Sequence, residues 1–386
     1  MNNMKKRDLE LYLHIPFCVK KCNYCDFFSA AGSREEQEAY VQAMIQEIRG
    51  YKDSLHSYEV KTVFLGGGTP SLLSERQAEE LFQSLYDSFT IQKDAEITME
   101  VNPGTVNLEK LKQYKAVGVN RLSLGLQSAR NEELQRLGRI HTYEDFLATW
   151  NFTEKAGFEN RNIDLMSALP GQSVTDYVNG LKKIIEYKPE HISAYSLIVE
   201  EGTPVYEHPE KFLPLPSEDD EREMYYETDR ILKKAGFDRY EISNYSKKGF
   251  ECRHNVGYWE RKDYLGFGLG ASSLFENVRM KNISDMNKYI GNAGKSDLYE
   301  DTEILTVNDC MEEFMFLGLR MMKGVSSRRF LKLFNKNIND VYAEPLEENI
   351  KNNLLCKYRD DSGESWYCLT PHGIDISNTV MADFML

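Results

Sequence analysis

Six short apolar segments alternate with five amphipathic helical patterns over the first half of this 386-residue chain. The strand candidates are mostly apolar and cover Leu11 to Phe17, Lys61 to Leu65, Glu96 to Val101, Arg121 to Leu126, Asn162 to Met166 and His191 to Leu197. The helical patterns cover residues 35–49, 74–88, 107–117, 142–156 and 173–187. Such alternation predicts an α/β fold with a parallel sheet covered by helices. Crossovers of one hand would curl it into a partial (β/α)6, TIM-like barrel, with function at the carboxyl ends of its strands.

The composition of the chain argues against two classes of protein, those that bind nucleic acid and those that span a membrane. Acidic residues outnumber basic ones by 61 to 47, which gives a formal net charge of −14. An acidic surface argues against nucleic acid as a partner, because such binding depends on neutralising phosphates. No apolar run approaches the roughly 20 residues that span a bilayer. We therefore expect a cytoplasmic protein, peripheral to a membrane only through a partner.

Three cysteines, Cys18, Cys22 and Cys25, are crowded into eight residues. Three thiolates can hold three corners of a cubane [4Fe–4S] cluster and leave the fourth iron open to a small molecule. A structural zinc site would want a fourth ligand, usually from a second close cysteine pair. The remaining cysteines are Cys252, Cys310, Cys356 and Cys368, and no two of them have that spacing. Zinc stays an alternative, and disulfides are disfavoured by the odd cysteine count.

Polar residues interrupt the apolar runs near the predicted carboxyl ends of several strands. The second strand runs into Gly66-Gly67-Gly68-Thr69-Pro70, where the backbone can approach a ligand closely or simply form a tight turn. Glu100, Gln127 and Asp164 stand after or within the third, fourth and fifth strands. Because parallel strands end at one edge of a sheet, these residues predict a common pocket.

The C-x3-C-x2-C spacing resembles that of the radical S-adenosylmethionine (SAM) enzymes. The resemblance implies a [4Fe–4S] cluster on the three cysteines, SAM on the open iron, and an electron donor such as a flavodoxin or ferredoxin. It places Tyr24 beside the adenine, Gly67 at the SAM amino group, and Gln127, Arg139 and Asp164 around its carboxylate and ribose. The complete set of implied SAM contacts is Tyr12, Tyr24, Gly67, Gly68, Thr69, Glu100, Gln127, Arg139 and Asp164.

Within that superfamily the chain resembles the branch that holds the oxygen-independent coproporphyrinogen III dehydrogenases of porphyrin biosynthesis and the HemW-type heme chaperones. The dehydrogenases carry another cysteine two places after the third cluster cysteine, and here Phe27 stands there. We therefore expect a heme chaperone that hands heme to an acceptor hemoprotein, in the membrane or the respiratory chain. Whether the chain is also an enzyme stays open, and a dehydrogenase or a radical SAM enzyme acting on another substrate are the alternatives.

The run from His254 to Trp259 matches the H-N-x-x-Y-W pattern that is associated with heme binding in HemW-like proteins. The resemblance implies that His254 ligates heme iron and that Tyr258 and Trp259 give flat surface to the macrocycle. Arg253 could pair with a propionate, and Cys252 is an alternative ligand. The same motif could instead buttress the open edge of the barrel.

The pattern changes after the barrel. From residue 301 onward we expect a mostly helical segment, with helices over Asp309 to Met322, Ser326 to Phe334 and Tyr342 to Asn352, then a hairpin and a closing helix. This predicts a core domain over 1–240, a barrel-edge segment over 241–300 and a smaller carboxyl-terminal domain over 301–386. Residues 204–217, rich in proline and charge, are expected to form an exposed loop.

Overall fold

The computed structural model describes residues 6–386, with the backbone alone at Ser296. Fifteen strands are described: β1 (Arg7–Ile15), β2 (Tyr58–Gly67), β3 (Ile91–Val101), β4 (Arg121–Gln127), β5 (Asn160–Ser167), β6 (His191–Ser196), β7 (Asp238–Glu241), β8 (Asn244–Ser246), β9 (Tyr264–Phe267), β10 (Ser272–Phe275), β11 (Val278–Asn282), β12 (Tyr299–Ile304), β13 (Val325–Ser326), β14 (Leu355–Arg359) and β15 (Ser365–Leu369).

Sixteen α-helices are described over the same residues: α1 (Arg34–Arg49), α2 (Glu75–Ser88), α3 (Leu108–Ala116), α4 (Asn131–Arg136), α5 (Tyr143–Lys155), α6 (Val174–Ile185), α7 (Pro204–Glu207), α8 (Glu218–Lys234), α9 (Arg253–Trp259), α10 (Met286–Asn292), α11 (Val307–Gly318), α12 (Ser327–Phe334), α13 (Ile338–Val341), α14 (Ala343–Lys351), α15 (Pro371–Asp375) and α16 (Ser377–Ala382). None of the described helices is long and apolar enough to cross a membrane.

Local sequence signals set where several of these helices begin. Ser33, Ser74, Thr142 and Thr306 each precede a helix, accept a hydrogen bond from the third helical N–H, and receive the matching side-chain bond from that third residue. This reciprocal capping satisfies two backbone donors that a helix start otherwise leaves without a partner. Asn107 and Ser173 cap the two remaining barrel helices with a side-chain hydrogen bond. All five predicted barrel helices begin within a residue or two of their predicted starts.

Strands β1 to β6 pair in chain order, and each is parallel to the next. The predicted α/β architecture is therefore confirmed, and the six strands form the partial barrel. The first strand spans Arg7–Ile15 rather than Leu11 to Phe17. It ends there because Pro16 has no N–H for a ladder and the chain turns into the cysteine loop. The core between sheet and helices is one large apolar cluster that includes Leu13, Leu65 and Leu124.

The sheet extends beyond the six predicted strands on both sides. Strands β8 and β7 add to β6 in antiparallel fashion, while β9 adds to β1 in parallel and leads to β10, β11 and β12. Strand β12 contains residues 301–304, which the sequence analysis assigned to the helical segment. Its sequence Tyr-Glu-Asp-Thr-Glu-Ile lies on an exposed edge and lacks the apolar alternation by which a half-buried strand is recognised.

The residues after β12 build a second, smaller core. Helices α11 to α14 and the predicted hairpin of β14 and β15 surround an apolar cluster with Phe314, Phe330 and Tyr367 near its centre. This segment joins the barrel through ion pairs such as that of Arg261 with Glu313, and through a hydrogen bond from Met322 N–H to the Tyr240 carbonyl oxygen. The join lies beside the amino-terminal halves of the barrel strands.

Candidate functional site

The glycine run after β2 lies against the end of β1. Gly67 has a φ of +110°, and a Cβ at this position would lie 2.6 Å from the imidazole of His14. At Gly68 a Cβ would lie 2.8 Å from the Phe17 carbonyl oxygen, while its N–H donates to the Ile15 carbonyl oxygen at 2.8 Å. Any side chain would therefore push the cysteine loop away from β2. The glycines fix where the cysteine loop begins.

Cys18, Cys22 and Cys25 all lie on this loop, half-buried and without disulfides. The Thr69 hydroxyl donates to Cys18 Sγ at 3.5 Å, and Arg139 Nη1 donates to Cys22 Sγ at 3.6 Å. Donors directed at sulfur stabilise a thiolate over a thiol. Burial, in contrast, raises the pKa of Cys25.

The three thiols are not arranged around one metal-ion position, and within residues 6–386 no three Cys, His, Asp or Glu side chains are placed to hold a single ion. A cubane cluster takes each thiolate on a different iron, so its ligands are spread more widely than those of one ion. The partly open cysteine loop, with donors already directed at two of its sulfurs, fits a cluster of that kind.

A chain of hydrogen bonds connects two of the cysteines below the loop. Asn102 Nδ2 donates to Thr69 Oγ1 at 2.8 Å, and Asn102 Oδ1 accepts from Arg139 Nη2 at 2.7 Å. The same Nη2 reaches the Gly125 carbonyl oxygen at 2.7 Å, while Arg139 Nε is buried without a partner. Thr69 and Arg139 are predicted site residues, whereas Asn102 was missed. Its place directly after β3, before Pro103, was the available signal.

Two half-buried carboxyl groups, Glu100 and Asp164, lie under the glycine run. Glu100 Oε2 accepts from the Gly67 N–H at 3.2 Å, and Asp164 Oδ1 accepts from Asn162 Nδ2 at 2.7 Å. Burial and then the charge of Asp164 raise the pKa of Glu100 to about 8, and burial also raises the pKa of Asp164. Two neighbouring carboxyl groups with raised pKa values favour a cationic ligand, since a positive charge relieves both desolvation and repulsion.

The remaining predicted SAM contacts line the same end of the barrel. Gln127 ends β4 with a φ of +73°, and its Oε1 accepts from the Tyr195 hydroxyl at 3.0 Å. Tyr12 forms a hydrogen bond with His14 Nδ1 at 3.0 Å. Tyr24 packs against a small apolar cluster that includes Leu137, and burial raises the pKa of its hydroxyl. The residues predicted for the pocket therefore lie together at the carboxyl ends of the strands.

The H-N-x-x-Y-W motif lies within α9. This helix packs beside the amino-terminal halves of β2 and β3, away from the strand ends that carry the glycine run. His254 is 1% exposed and its ring stacks on Phe64 with centroids 5.2 Å apart. Its Nδ1 bonds the Thr62 hydroxyl at 2.7 Å and its Nε2 bonds the Tyr258 hydroxyl at 3.0 Å. Burial lowers the pKa of His254 to about 3. Ligation of heme iron by His254 would require it to give up one of these hydrogen bonds.

The other residues of the motif, and Cys252 just before it, also contact neighbouring side chains. The Tyr258 ring meets Tyr264 edge-on at 4.7 Å, and the Arg320 guanidinium lies 4.4 Å from the centre of the Trp259 ring. Cys252 is buried, with its Sγ 3.6 Å from Glu96 Oε1. In this conformation the contacts match the alternative in which the motif buttresses the barrel. Only Arg253 extends toward solvent.

An apolar rim surrounds the cysteine loop, and the sequence analysis did not predict it. Val19, Phe27 and Phe28 of the loop are 47–67% exposed, and Ile140 and Ile198 beside it are 54% and 69% exposed. We call these five residues the apolar rim. Solvent-exposed apolar side chains that gather around a site indicate contact with another molecule.

The exposed loop predicted over residues 204–217 lies next to the rim. Most of its residues are exposed, and it contains the short helix α7. Its Val205 N–H donates to the Asn23 carbonyl oxygen of the cysteine loop at 3.1 Å. The loop is therefore held against the segment that carries the three thiols.

Comparison with known proteins gives two family matches. Residues 12–184 match the radical SAM superfamily, and residues 305–376 match the HemN C-terminal domain. The chain is 35% identical to the heme chaperone HemW of Lactococcus lactis over 99% of each chain. It is 35% identical to that of Bacillus subtilis over 97% of this chain and 98% of the relative, and 34% identical to that of Escherichia coli over 99% of each.

A solved structure of the coproporphyrinogen III oxidase HemN from Escherichia coli, described as a radical SAM enzyme, has the same fold. The TM-score is 0.85 at 24% identity, and the match covers 100% of this chain and 91% of that one. The likeness extends through both the barrel and the carboxyl-terminal segment.

Replacing Cys22 by Ser should abolish a [4Fe–4S] spectrum after anaerobic reconstitution, because a hydroxyl is a poor ligand for a cluster iron. Cys356→Ser, in the distant hairpin, is the matched control and should retain full iron and sulfide content. A Cys22→Ser protein that still bound four irons and four sulfides would contradict the assignment of the three thiols.

Proposed function

The chain belongs to the HemW family of radical SAM proteins, and we propose that it binds a [4Fe–4S] cluster and SAM at the carboxyl ends of β1–β6 and transfers heme to an acceptor hemoprotein. The observation that carries the proposal is the continuous network from Thr69 through Asn102 to Arg139, which directs a donor at each of two cluster cysteines. Sequence identity of 34–35% over nearly the whole chain to proteins named heme chaperone supports heme as the cargo.

In this proposal Cys18, Cys22 and Cys25 hold the cluster, and Thr69 and Arg139 hydrogen-bond to its sulfur ligands. When bound, the cluster supplies an open iron and a transferable electron. Hydrogen bonds to ligand sulfur stabilise the reduced state, because they offset the added negative charge. The two donors therefore tune the reduction potential of the cluster. A small electron carrier of the flavodoxin or ferredoxin class would approach over the apolar rim, where the loop is open.

SAM is a cation with both ammonium and sulfonium groups, which matches the two half-buried carboxyl groups. Glu100 lies against Gly67, the position implied for the SAM amino group, and Asp164 lies next to Glu100. Tyr24 and its apolar cluster offer a dry surface of the type that an adenine ring requires. Gln127, Arg139 and Tyr12 supply further polar groups at this end of the barrel.

The chaperone role is preferred to dehydrogenase chemistry because of Phe27. It occupies the place of the dehydrogenases' additional cysteine, and its side chain is 67% exposed. A ring at this position supplies no thiol, yet it enlarges the apolar rim. The acceptor, which we propose to be a hemoprotein of the membrane or the respiratory chain, would meet this rim or the carboxyl-terminal segment.

Removal of either the Glu100 or the Asp164 carboxyl group should weaken SAM binding. We expect Glu100→Ala and Asp164→Ala each to raise the dissociation constant for SAM by about tenfold or more, the effect of losing roughly 1.4 kcal/mol of charge-assisted contact. Iron content should be unchanged, and Glu132→Ala, at an exposed position of α4, is the matched control. Isothermal titration of the reconstituted proteins measures the effect, and unaltered affinity in both variants would remove these residues from the SAM site.

The whole proposal is tested by incubating the reduced, reconstituted protein with SAM and either hemin or coproporphyrinogen III. We expect one hemin to bind per chain and no decarboxylated porphyrin to form. Decarboxylated product would instead support a coproporphyrinogen dehydrogenase. Absence of both hemin binding and porphyrin product would favour a radical SAM enzyme that acts on another substrate.

A further inference from the structure

Two cysteines that the sequence analysis left without a role face each other across the carboxyl-terminal hairpin. Cys356 lies on β14 and Cys368 on β15, and the two are directly opposite in the antiparallel register. Neither is in a disulfide, and their thiols form a hydrogen bond with each other. The hairpin therefore brings together two reactive groups that are 12 positions apart in the chain.

The backbone hydrogen bonds of the hairpin space these two cysteines for a disulfide. Just beyond them, the Thr370 N–H donates to the Leu354 carbonyl oxygen at 2.9 Å, which makes those two residues a hydrogen-bonded pair. Such pairs alternate along an antiparallel ladder, so Cys356 and Cys368, two residues further in, are also a hydrogen-bonded pair. The Cα atoms of such a pair are about 5.5 Å apart, within the range of about 4.4–6.8 Å that disulfides require. A disulfide can therefore form here without a change of register.

The two thiols lie on the side of the hairpin that faces away from the second core. Leu355, Tyr367 and Leu369 belong to that core. Because successive side chains of a strand point to opposite faces, Cys356 and Cys368 lie on the other face. Cys356 is half-buried, whereas Cys368 is 7% exposed. A small reagent in solution therefore reaches Cys356 first.

The protonation of the pair indicates the same order of reaction. Burial, and then the hydrogen bond with Cys356, raises the pKa of Cys368 to about 12. A thiol with such a pKa keeps its proton near neutral pH, and the thiolate is the nucleophile in thiol–disulfide exchange. Attack on an external disulfide therefore starts at Cys356, and Cys368 is the resolving thiol.

We propose that Cys356 and Cys368 are a redox pair, which a low-molecular-weight disulfide such as oxidised glutathione converts into a reversible disulfide across the hairpin. The Cys356 thiolate attacks one sulfur of the glutathione disulfide, breaks its S–S bond and releases one glutathione thiolate. Cys368 gives its proton to that thiolate, attacks the Cys356 sulfur of the mixed disulfide and displaces the second glutathione. The cysteine pair loses two electrons and two protons, which leave on two molecules of glutathione thiol.

The disulfide would restrain the part of the hairpin that packs against the join with the barrel. Tyr358, two residues after Cys356, donates its hydroxyl hydrogen to the Lys323 carbonyl oxygen at 2.9 Å. Strand β15 also pairs with β13, which begins two residues after Lys323. The neighbouring Met322 N–H makes the hydrogen bond to the Tyr240 carbonyl oxygen of the barrel. Oxidation of the pair therefore stiffens the join, and this inference does not depend on the proposed heme transfer.

Peptide mapping after a redox titration tests the pairing. The reconstituted chain is held anaerobically in glutathione buffers of rising oxidised fraction, quenched with acid, alkylated in denaturant and digested with trypsin. Because trypsin cleaves after Lys357 and Arg359, the disulfide would link two separate peptides. We expect the linked peptides to increase with the oxidised fraction and to disappear on addition of dithiothreitol, while buried Cys310 stays unlinked. Absence of the Cys356–Cys368 link at the most oxidising ratio, or equal linkage of Cys310, would overturn the proposal.

The two single variants test the order of attack. In Cys368→Ser the Cys356 thiolate has no resolving thiol, so its mixed disulfide with glutathione should accumulate. In Cys356→Ser the remaining thiol is buried, and we expect about tenfold less glutathione on it at the same buffer ratio. Equal labelling of the two variants would contradict the assignment of Cys356 as the attacking thiol.

Amide hydrogen exchange measures the effect of the disulfide on the join. We expect oxidation to slow exchange across β14 and β15, and at the Met322 N–H, by about tenfold or more, because a disulfide removes open states of the loop that it closes. The Cys356→Ser/Cys368→Ser variant is the matched control and should exchange equally in reducing and oxidising buffers. A disulfide that forms without slowing exchange at Met322 would overturn the stiffening of the join.

Discussion

The site depends on one hydrogen-bonded chain that runs from Cys18 through Thr69, Asn102 and Arg139 to Cys22. It crosses the ends of β2 and β3 and reaches the segment after α4. Each link is a buried or half-buried polar group, so breaking one link would leave its neighbour unsatisfied. This series of hydrogen bonds therefore holds the cysteine loop over the ends of the parallel strands, and it directs donors at two sulfurs.

The two ends of the barrel have different chemistry. At the carboxyl ends of the strands are the cysteines, the glycine run and two carboxyl groups that suit a cationic ligand. At the amino-terminal side, α9 packs His254 between Thr62 and Tyr258, next to a cavity with excess positive charge.

Much of this arrangement could be predicted from the sequence, because the periodicity of apolar residues and the capping of helix starts are local properties of the sequence. The apolar runs identify β1 to β6, and the polar residues at their ends gather because parallel strands end at one edge. Other features depend on distant contacts. Strand β12 was missed because its acidic residues carry no burial pattern, and Asn102 because its partners come from other strands. The engagement of His254 could not be predicted, since Thr62 is 192 residues away in the chain.

Transfer of heme between proteins tests the central claim most directly. The reconstituted chain, loaded with hemin and supplied with SAM, is mixed anaerobically with an apo-hemoprotein, and the spectra of both proteins are followed with time. The account predicts that heme appears in the acceptor at the rate at which it leaves the chain. Heme that stays on the chain, or reaches the acceptor no faster than free hemin does, would contradict it.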